Sequence, residues 1–455
     1  MNYRTLLSST ILLFTGVLVH GSGTPEPGTE AEAVERVEWP MHIMDRHLRN
    51  SDGLEMADIN GDGLPDFCTA WDADGAVTIG VHPGPGKLSE TWPVAQVATA
   101  GASDEAIFWD ADEDGYEDVL YVQGPDMPVS GIGITWNPGP EHILDPEAWE
   151  DGGLFPATEL RKQFLVLLPM DVNADGHTDL VATGIKGTPV VWLESPERSR
   201  RDMSGYKLHV IHEAPDNCWT AVLSDIDGDG DLDIALAESD ADHETLKQSE
   251  GVRWLENPGA GSAAQKRPWP SHIIHHMEID RRAELALIDL DRDGRDDLVF
   301  NGRGKIDWWR KASVGPVTWE HSAIRKPANV AKRGMGLAAH DLDGDGHADL
   351  VGNSVNNEHV PEDQIAVYWI KHRDSGPAAD WEFHAIKWGY GPDHGGIGEK
   401  WERIRFADID GDGDDDVIMN EKELWTARPR EGPGQSLIGV VWFENRQFDM
   451  QRYEN

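Results

Sequence analysis

Basic residues are scarce: 39 Lys and Arg stand against 83 Asp and Glu, a formal charge of −44 over 455 residues. Binding nucleic acid needs a cationic footprint to neutralise phosphates, so that class of partner is excluded. Cysteine is rarer still. Cys68 and Cys218 are too few for a disulfide framework, leaving either one bridge or a buried thiol and a loop thiol. Beyond the first two dozen residues no apolar run approaches the length of a membrane span. The nucleophile and zinc signatures G-x-S-x-G, H-E-x-x-H and the papain-type Cys motif are also absent.

Acid, glycine and tryptophan are abundant. Nineteen Trp and a hydrophobic fraction of 39% supply a sizeable core, which excludes wholesale disorder. An acidic surplus of this size in a folded chain asks for bound cations. Arg4, the apolar run Leu6 to Val19 and the small residues Gly21, Ser22 and Gly23 predict a secretory signal peptide over residues 1–23. A flexible tail rich in Pro, Gly and Glu follows over 24–38. The mature protein is expected to be secreted or periplasmic.

An internal repeat organises the remainder, 39–455. The pattern D-x-[DN]-x-D-G-x-x-D occurs seven times, about 58 residues apart on average. A short apolar run follows each copy, as at Phe67 to Ala70 and Ile234 to Ala237. Next comes a V-x-W segment, as at Val190 to Trp192, Val252 to Trp254 and Val367 to Trp369, with Ile134 to Trp136 taken as the counterpart in the second repeat. An aromatic-x-x-H-x-I segment completes the unit, as at Tyr206 to Val210 and Trp269 to Ile273. These runs are β-branched or aromatic and bounded by Gly, Pro and Asp, so each repeat reads as four strands. The fold class is therefore all-β, a single seven-bladed propeller with four-stranded blades. Trp39 to Met44 resembles a fourth strand with no blade of its own, so it is predicted to close the ring by joining the C-terminal blade, in competition with the tail 447–455.

The acidic loops place oxygen ligands at positions 1, 3, 5 and 9, with a backbone carbonyl at 7. The candidate ligands are Asp58, Asn60, Asp62 and Asp66; Asp110, Asp112, Asp114 and Asp118; Asp171, Asn173, Asp175 and Asp179; Asp225, Asp227, Asp229 and Asp233; Asp289, Asp291, Asp293 and Asp297; Asp341, Asp343, Asp345 and Asp349; and Asp408, Asp410, Asp412 and Asp416. Six or more hard oxygens suit calcium, giving up to seven structural ions. Glycine at position 6 of every copy fits a turn with positive φ. A strand follows where an EF-hand would have a Glu at position 12 and a helix, so the EF-hand is excluded. A solvated Asp-Gly turn is the alternative, and seven copies in phase favour calcium.

The acidic loop, its following strand, the V-x-W-x-E-N-P segment and W-x-x-H-x-I together resemble the FG-GAP or VCBS repeat family, the integrin-α-like propellers, over about residues 39 to 446. That resemblance implies calcium loops between the first and second strands on one face of the disc and ligand binding on the other. Family members include adhesion modules, lectins and enzymes, so activity is left open.

The opposite face gathers the chain's few cations. Candidate ligand-binding residues there are His47, Arg49, Arg161, Trp219, Arg333, Trp401 and Trp425, suited to an acidic extracellular glycan through Arg forks and indole stacking. A solvated rim of cations offsetting neighbouring acids is the alternative. The Trp of V-x-W and the His of W-x-x-H-x-I (His42, His209, His272, His384) fall at fixed strand positions and read as packing residues.

Three functions follow: a non-catalytic calcium-dependent binding propeller, a polysaccharide lyase acting by β-elimination on a uronic-acid glycan, or a protein-docking propeller. A lyase needs a cation on the uronate, a base and an acid. The candidates are Arg281, Arg282, Lys400 and Arg403 as cations, His275, His276 and His394 as bases, and Tyr390 as acid or base. An extracellular glycan or protein partner is expected, with no nucleic acid, no membrane span and a monomeric state.

Overall fold

In the computed structural model, the described residues are 38–159, 163–213, 217–239, 251–260, 267–277, 279, 283–355, 360–372, 381–389, 399–423 and 439–446. They form seven four-stranded sheets, each in the order first, second, third, fourth strand. All the strand pairings within them are antiparallel. Blade 1 is typical: Ser51–Ala57, Asp66–Trp71, Ala76–Gly80 and Val94–Thr99. Each second strand starts on the last Asp of an acidic loop, as in Asp233–Ser239 of blade 4 and Asp349–Val355 of blade 6. These strands are buried on both faces, which is why the sequence there is continuously apolar instead of alternating. Outer strands pay less attention to burial: Val317–Arg325 of blade 5 is largely exposed.

The ring closes as the sequence predicts. Met41–Asp45 pairs antiparallel with Val440–Phe443, opposing Met41 to Phe443 and Ile43 to Val441, and becomes the fourth strand of blade 7. The competing tail lies outside the described residues. Seven hydrophobic clusters fill the seven blade interfaces, one each. The cluster between blades 7 and 1 combines Met44, Ile409, Ile418 and Trp442 with Leu54, Phe67 and Trp71, so the clasp buries side chains as well as a strand edge. No helix among the described residues is long and apolar enough to cross a membrane.

The recurring Trp and His are one device. Trp192, Trp254, Trp369 and Trp442 are buried. His209, His272, His384 and His42 on the neighbouring fourth strands face these indoles with centroids 4.5, 4.4, 4.7 and 4.2 Å away. Three of those imidazoles reach a Glu two residues beyond the Trp: His209 to Glu194 at 2.6 Å, His272 to Glu256 at 2.8 Å and His42 to Glu444 at 2.9 Å. Blade 2 corrects the sequence alignment. Asn137 there takes the place of Asn257 in blade 4, so Trp136 stands two residues out of phase, at the position held by Glu256. A two-residue shift keeps the same strand face, which hid it from the pattern. Cys68 and Cys218 are both free and both buried on strands, so neither is a loop thiol.

Closure predicts a specific sensitivity. Met44→Ala removes buried thioether from the blade 7–blade 1 interface and should cost about 2–5 kcal/mol. Chemical denaturation should show that loss, whereas a stability equal to the parent would mean the clasp is dispensable.

Candidate functional site: acidic loops and the channel mouth

Within a blade the first and second strands turn through the acidic loop. Since strands alternate in direction, these loops and the third-to-fourth connections share one face, and the channel mouth discussed below lies on the other. The loops are folded by their own carboxylates. The first Asp accepts the N–H of the position 6 glycine in every copy: Gly63 to Asp58 at 2.8 Å, Gly115 to Asp110 at 3.0 Å, Gly176 to Asp171 at 2.9 Å, Gly230 to Asp225 at 3.1 Å, Gly294 to Asp289 at 2.8 Å, Gly346 to Asp341 at 2.9 Å and Gly413 to Asp408 at 3.1 Å. Those glycines have φ between 82 and 99°. Position 4 is also left-handed in all seven loops, and three copies bear that strain without glycine: Glu113 (φ 60°), Ala174 (φ 54°) and Arg292 (φ 62°).

The ninth residue is a latch. Asp66 Oδ2 accepts the Ile59 N–H at 3.1 Å, while its Oδ1 accepts the N–H of His82, the residue leaving the third strand, at 2.8 Å. Asp118, Asp179, Asp233 and Asp416 repeat both bonds, the outer one to Asn137, Ser195, Asn257 and Asn445 at 2.7–2.9 Å. Burial lifts these carboxyls to about 7 for Asp66, Asp179 and Asp233 and about 8 for Asp118 and Asp416; the N–H donors oppose it and sister carboxylates add to it. Carboxylates held high in this way gain from any cation brought near them.

The donor set fits a hard divalent ion. Carboxylate oxygens of Asp110, Asp112 and Asp118 lie within 4.8 Å of one another, as do those of Asp225, Asp227 and Asp229, of Asp289, Asp291 and Asp293, and of Asp341, Asp343 and Asp345. In addition, Oδ1 of Asp291 and of Asp343 is buried without a hydrogen-bond partner. These clusters can hold a metal ion, and all their donors are oxygens.

On the opposite face the channel is plugged by charge pairs. Arg403, from the first strand of blade 7 (Glu399–Ala407), bonds Glu105 of blade 2 and, at 2.5 Å, Glu284 of blade 5. All three stand five residues ahead of the first Asp of their own loop. Burial works against the Arg403 charge, but Glu105 and Glu284 outweigh it and hold the guanidinium above the usual arginine range. Nearby, Lys422 bonds Asp52 and lies 2.8 Å from Asp72 and 3.8 Å from Asp104, and Lys400 pairs with Glu402. Asp52, Asp104, Leu165, Trp219, Glu284, Glu402 and Arg403 line what space is left, a cavity of about 40 Å³ that admits a few waters. On the loop face, a roomier cleft of about 460 Å³ runs between Tyr116, His142, Glu150 and Arg201.

Of the residues the sequence singled out for this mouth, Trp219 and Arg403 meet at the cavity. Trp219 is half-buried and donates to Ser239 Oγ at 3.3 Å. Arg49 is bound to Asp74, and His47 to Asp45 at 2.5 Å. Arg333 opens the first strand of blade 6, Arg333–His340. Trp401 departs from expectation: it is fully buried against Phe443, at a centroid distance of 5.5 Å, and offers no face to a ligand. His275 closes the outermost strand of blade 4, Ser271–His275, where it packs on Trp309 and His321. That strand and the following His276 lie at the rim of the disc, while Arg403 lines its axis, so the structure does not bring them together. Arg161, Arg281, Arg282, Tyr390, His394 and Trp425 lie outside the described residues. Asp52, Glu284 and Glu402 were not singled out from the sequence; an acid five or six residues ahead of the first loop Asp in several blades was the available signal.

The geometry defines a seven-bladed propeller with acidic turns on one face. A family model described as FG-GAP-like repeat matches residues 58–121, 171–236 and 289–352. Each match spans two acidic loops, so six of the seven blades carry FG-GAP-like repeats, consistent with an FG-GAP repeat propeller. No curated protein matches it in sequence. Among solved structures, it is similar to BBS1N in complex with ARL6DN at 9% identity and TM-score 0.51, covering 89% of this chain and 95% of that one. YCF48 from Cyanidioschyzon merolae is similar at 8% identity and TM-score 0.49, covering 90% and 99%. A lectin of Agrocybe aegerita that recognises non-reducing terminal N-acetylglucosamine is similar at 17% identity and TM-score 0.47, covering 77% and 83%. At 9% identity the likeness to BBS1N extends to the fold alone.

The plug makes a sharp prediction. Arg403→Gln strands the buried Glu105 carboxylate and the half-buried Glu284 carboxylate and should cost about 3 kcal/mol, the low end for a broken buried pair. Adding Glu105→Gln and Glu284→Gln should recover most of that loss in denaturant melts. Equal stability of parent and single variant would show that the cross-channel pairs carry no weight.

Proposed function

We propose that this chain is a calcium-stabilised, non-catalytic recognition propeller acting outside the cytoplasm. The observation that carries the reading is the folding of the acidic loops on their own backbone N–H groups, with carboxylates that converge within 4.8 Å in blades 2, 4, 5 and 6. Calcium supplies positive charge to a chain of formal charge −44 and so relieves repulsion that opposes compaction. The N-terminal run of Arg4 and Leu6 to Val19 supports export.

Its ligand is a hydroxyl-rich glycan held at the channel mouth. Asp52, Asp104 and Glu402 can accept hydrogen bonds from sugar hydroxyls, and the half-buried Trp219 indole can lie against a ring face. A carboxylated or sulfated glycan is less suited, because Arg403, Lys400 and Lys422 are already committed to acids of the chain. The same commitments weigh against lysis, since Arg403 and Lys400, two of the cations that would neutralise a uronate, are both engaged.

Saturating calcium should raise Tm by at least about 5 °C over chelator-treated protein, from ligand linkage at several sites. An unchanged Tm would refute the metal assignment. On a glycan array, binding should survive in calcium and fall at least about tenfold in Trp219→Ala, as loss of one stacking face requires. Retention of only uronic or sulfated glycans would overturn the choice of ligand.

A further inference from the structure

One position of the repeat decides what charge each loop meets from its own blade. It is the residue just before the third-strand exit that bonds the latch Asp. In blades 3, 4 and 7 it is Glu194, Glu256 and Glu444. The negative charge of Glu256 reaches Asp227, and that of Glu444 reaches Asp410, each the third residue of its loop. Blade 3 has Asn173 at that third place.

Blades 5 and 6 reverse the sign. Arg310 holds the position in blade 5, and its Nε bonds Oδ2 of Asp291, with Nη2 3.6 Å from Asp293, which Arg295 of the loop itself also bonds. Lys371 holds it in blade 6 and bonds Oδ2 of Asp343, 3.7 Å from Asp345. Blade 2 reaches the same end by another route. There the position is Trp136, and Arg201, arriving from blade 3, lies 5.1 Å over its ring. Its Nε bonds Oδ2 of Asp112, with Nη2 3.3 Å from Asp114. Three cations from two blade positions thus converge on one oxygen, the Oδ2 of the third loop residue. In the loops of blades 1, 3, 4 and 7, no described Lys or Arg pairs with a side chain at positions 1, 3, 5 or 9; in blade 4 the buried Lys311 Nζ reaches the backbone carbonyl of Asp225, at 3.5 Å, and not its carboxylate.

We infer that the seven loops form two classes of calcium site: those of blades 1, 3, 4 and 7 bind tightly, and those of blades 2, 5 and 6, carrying their own cation, bind at least about tenfold more weakly, because a fixed positive charge a few ångströms away repels a divalent ion. Arg201, Arg310 and Lys371 are partly exposed, so their pairs add little to stability. Their effect falls on the competing ion. The cation offsets the loop's negative charge when calcium is low, so three turns carry their own counter-charge and four take it from the metal.

This inference rests on the calcium reading above, and one experiment separates the two. Chelator-stripped full-length protein is dialysed against graded calcium, and bound metal is measured by mass spectrometry. Four tight sites followed by weaker uptake are expected. Lys371→Glu, and Arg310→Glu combined with Arg295→Gln, which clears both cations from the blade 5 loop, should each raise the tight count to five. Glu256→Lys, which adds a cation to blade 4, should lower it to three, while the rise in the other variants is a change that loss of folding cannot mimic. Seven equivalent sites in the parent, or a tight count that stays at four in folded variants, would overturn the two-class assignment while leaving calcium in place. No bound calcium at any concentration would overturn the calcium reading itself.

Discussion

The structure depends on one contact made in five of the seven blades: the ninth loop carboxylate, caught between the N–H of the loop's second residue and the N–H that leaves the third strand. It ties the acidic turn to the far side of the same blade. Its cost is burial of an anion beside two or three others, which is why these carboxyls rise to about 7 or 8. A hard cation is the natural counterweight, and where the chain supplies Arg201, Arg310 or Lys371, it supplies that counterweight itself.

The two faces therefore solve the same electrostatic problem differently. On the loop face, carboxylates are gathered, three clusters against Arg201, Arg310 or Lys371 and the other four with no described Lys or Arg on their carboxylates. At the channel mouth, acids are answered by arginine and lysine of the chain, with Arg403 bridging blades 2 and 5 from blade 7. That bridge crosses the axis, so it links blades that share no hydrophobic interface. Adjacent blades are held by apolar clusters, and distant ones by charge. The small mouth cavity follows from the same bridge, and it restricts a ligand to the surface of the mouth.

Much of the fold was legible because its signals are local and repeated. The acidic loop fixes the turn between first and second strands, and continuous apolar runs such as Ile234 to Ala237 mark strands buried on both faces. The unpaired Trp39 to Met44 segment pointed to the clasp that Met41–Asp45 makes. Less was legible at the candidate site. Glu105, Glu284 and Arg403 are far apart in the chain and meet only once seven blades close around an axis, a distance relation no local pattern encodes. Trp401 looked like a ligand face because it sits beside Lys400 and Arg403, but strand alternation turns its ring into the blade 6–blade 7 core. The charge reversal at Glu256, Arg310 and Lys371 was in the sequence, yet it acquires meaning only when the third strand is seen to run beside the loop.

The central claim is that calcium sits within the acidic turns. A crystal grown in calcium and measured for anomalous scattering tests it most directly. The account predicts density between the carboxylates of the loops beginning at Asp58, Asp171, Asp225 and Asp408. Loops that stay free of anomalous density at saturating calcium would contradict it.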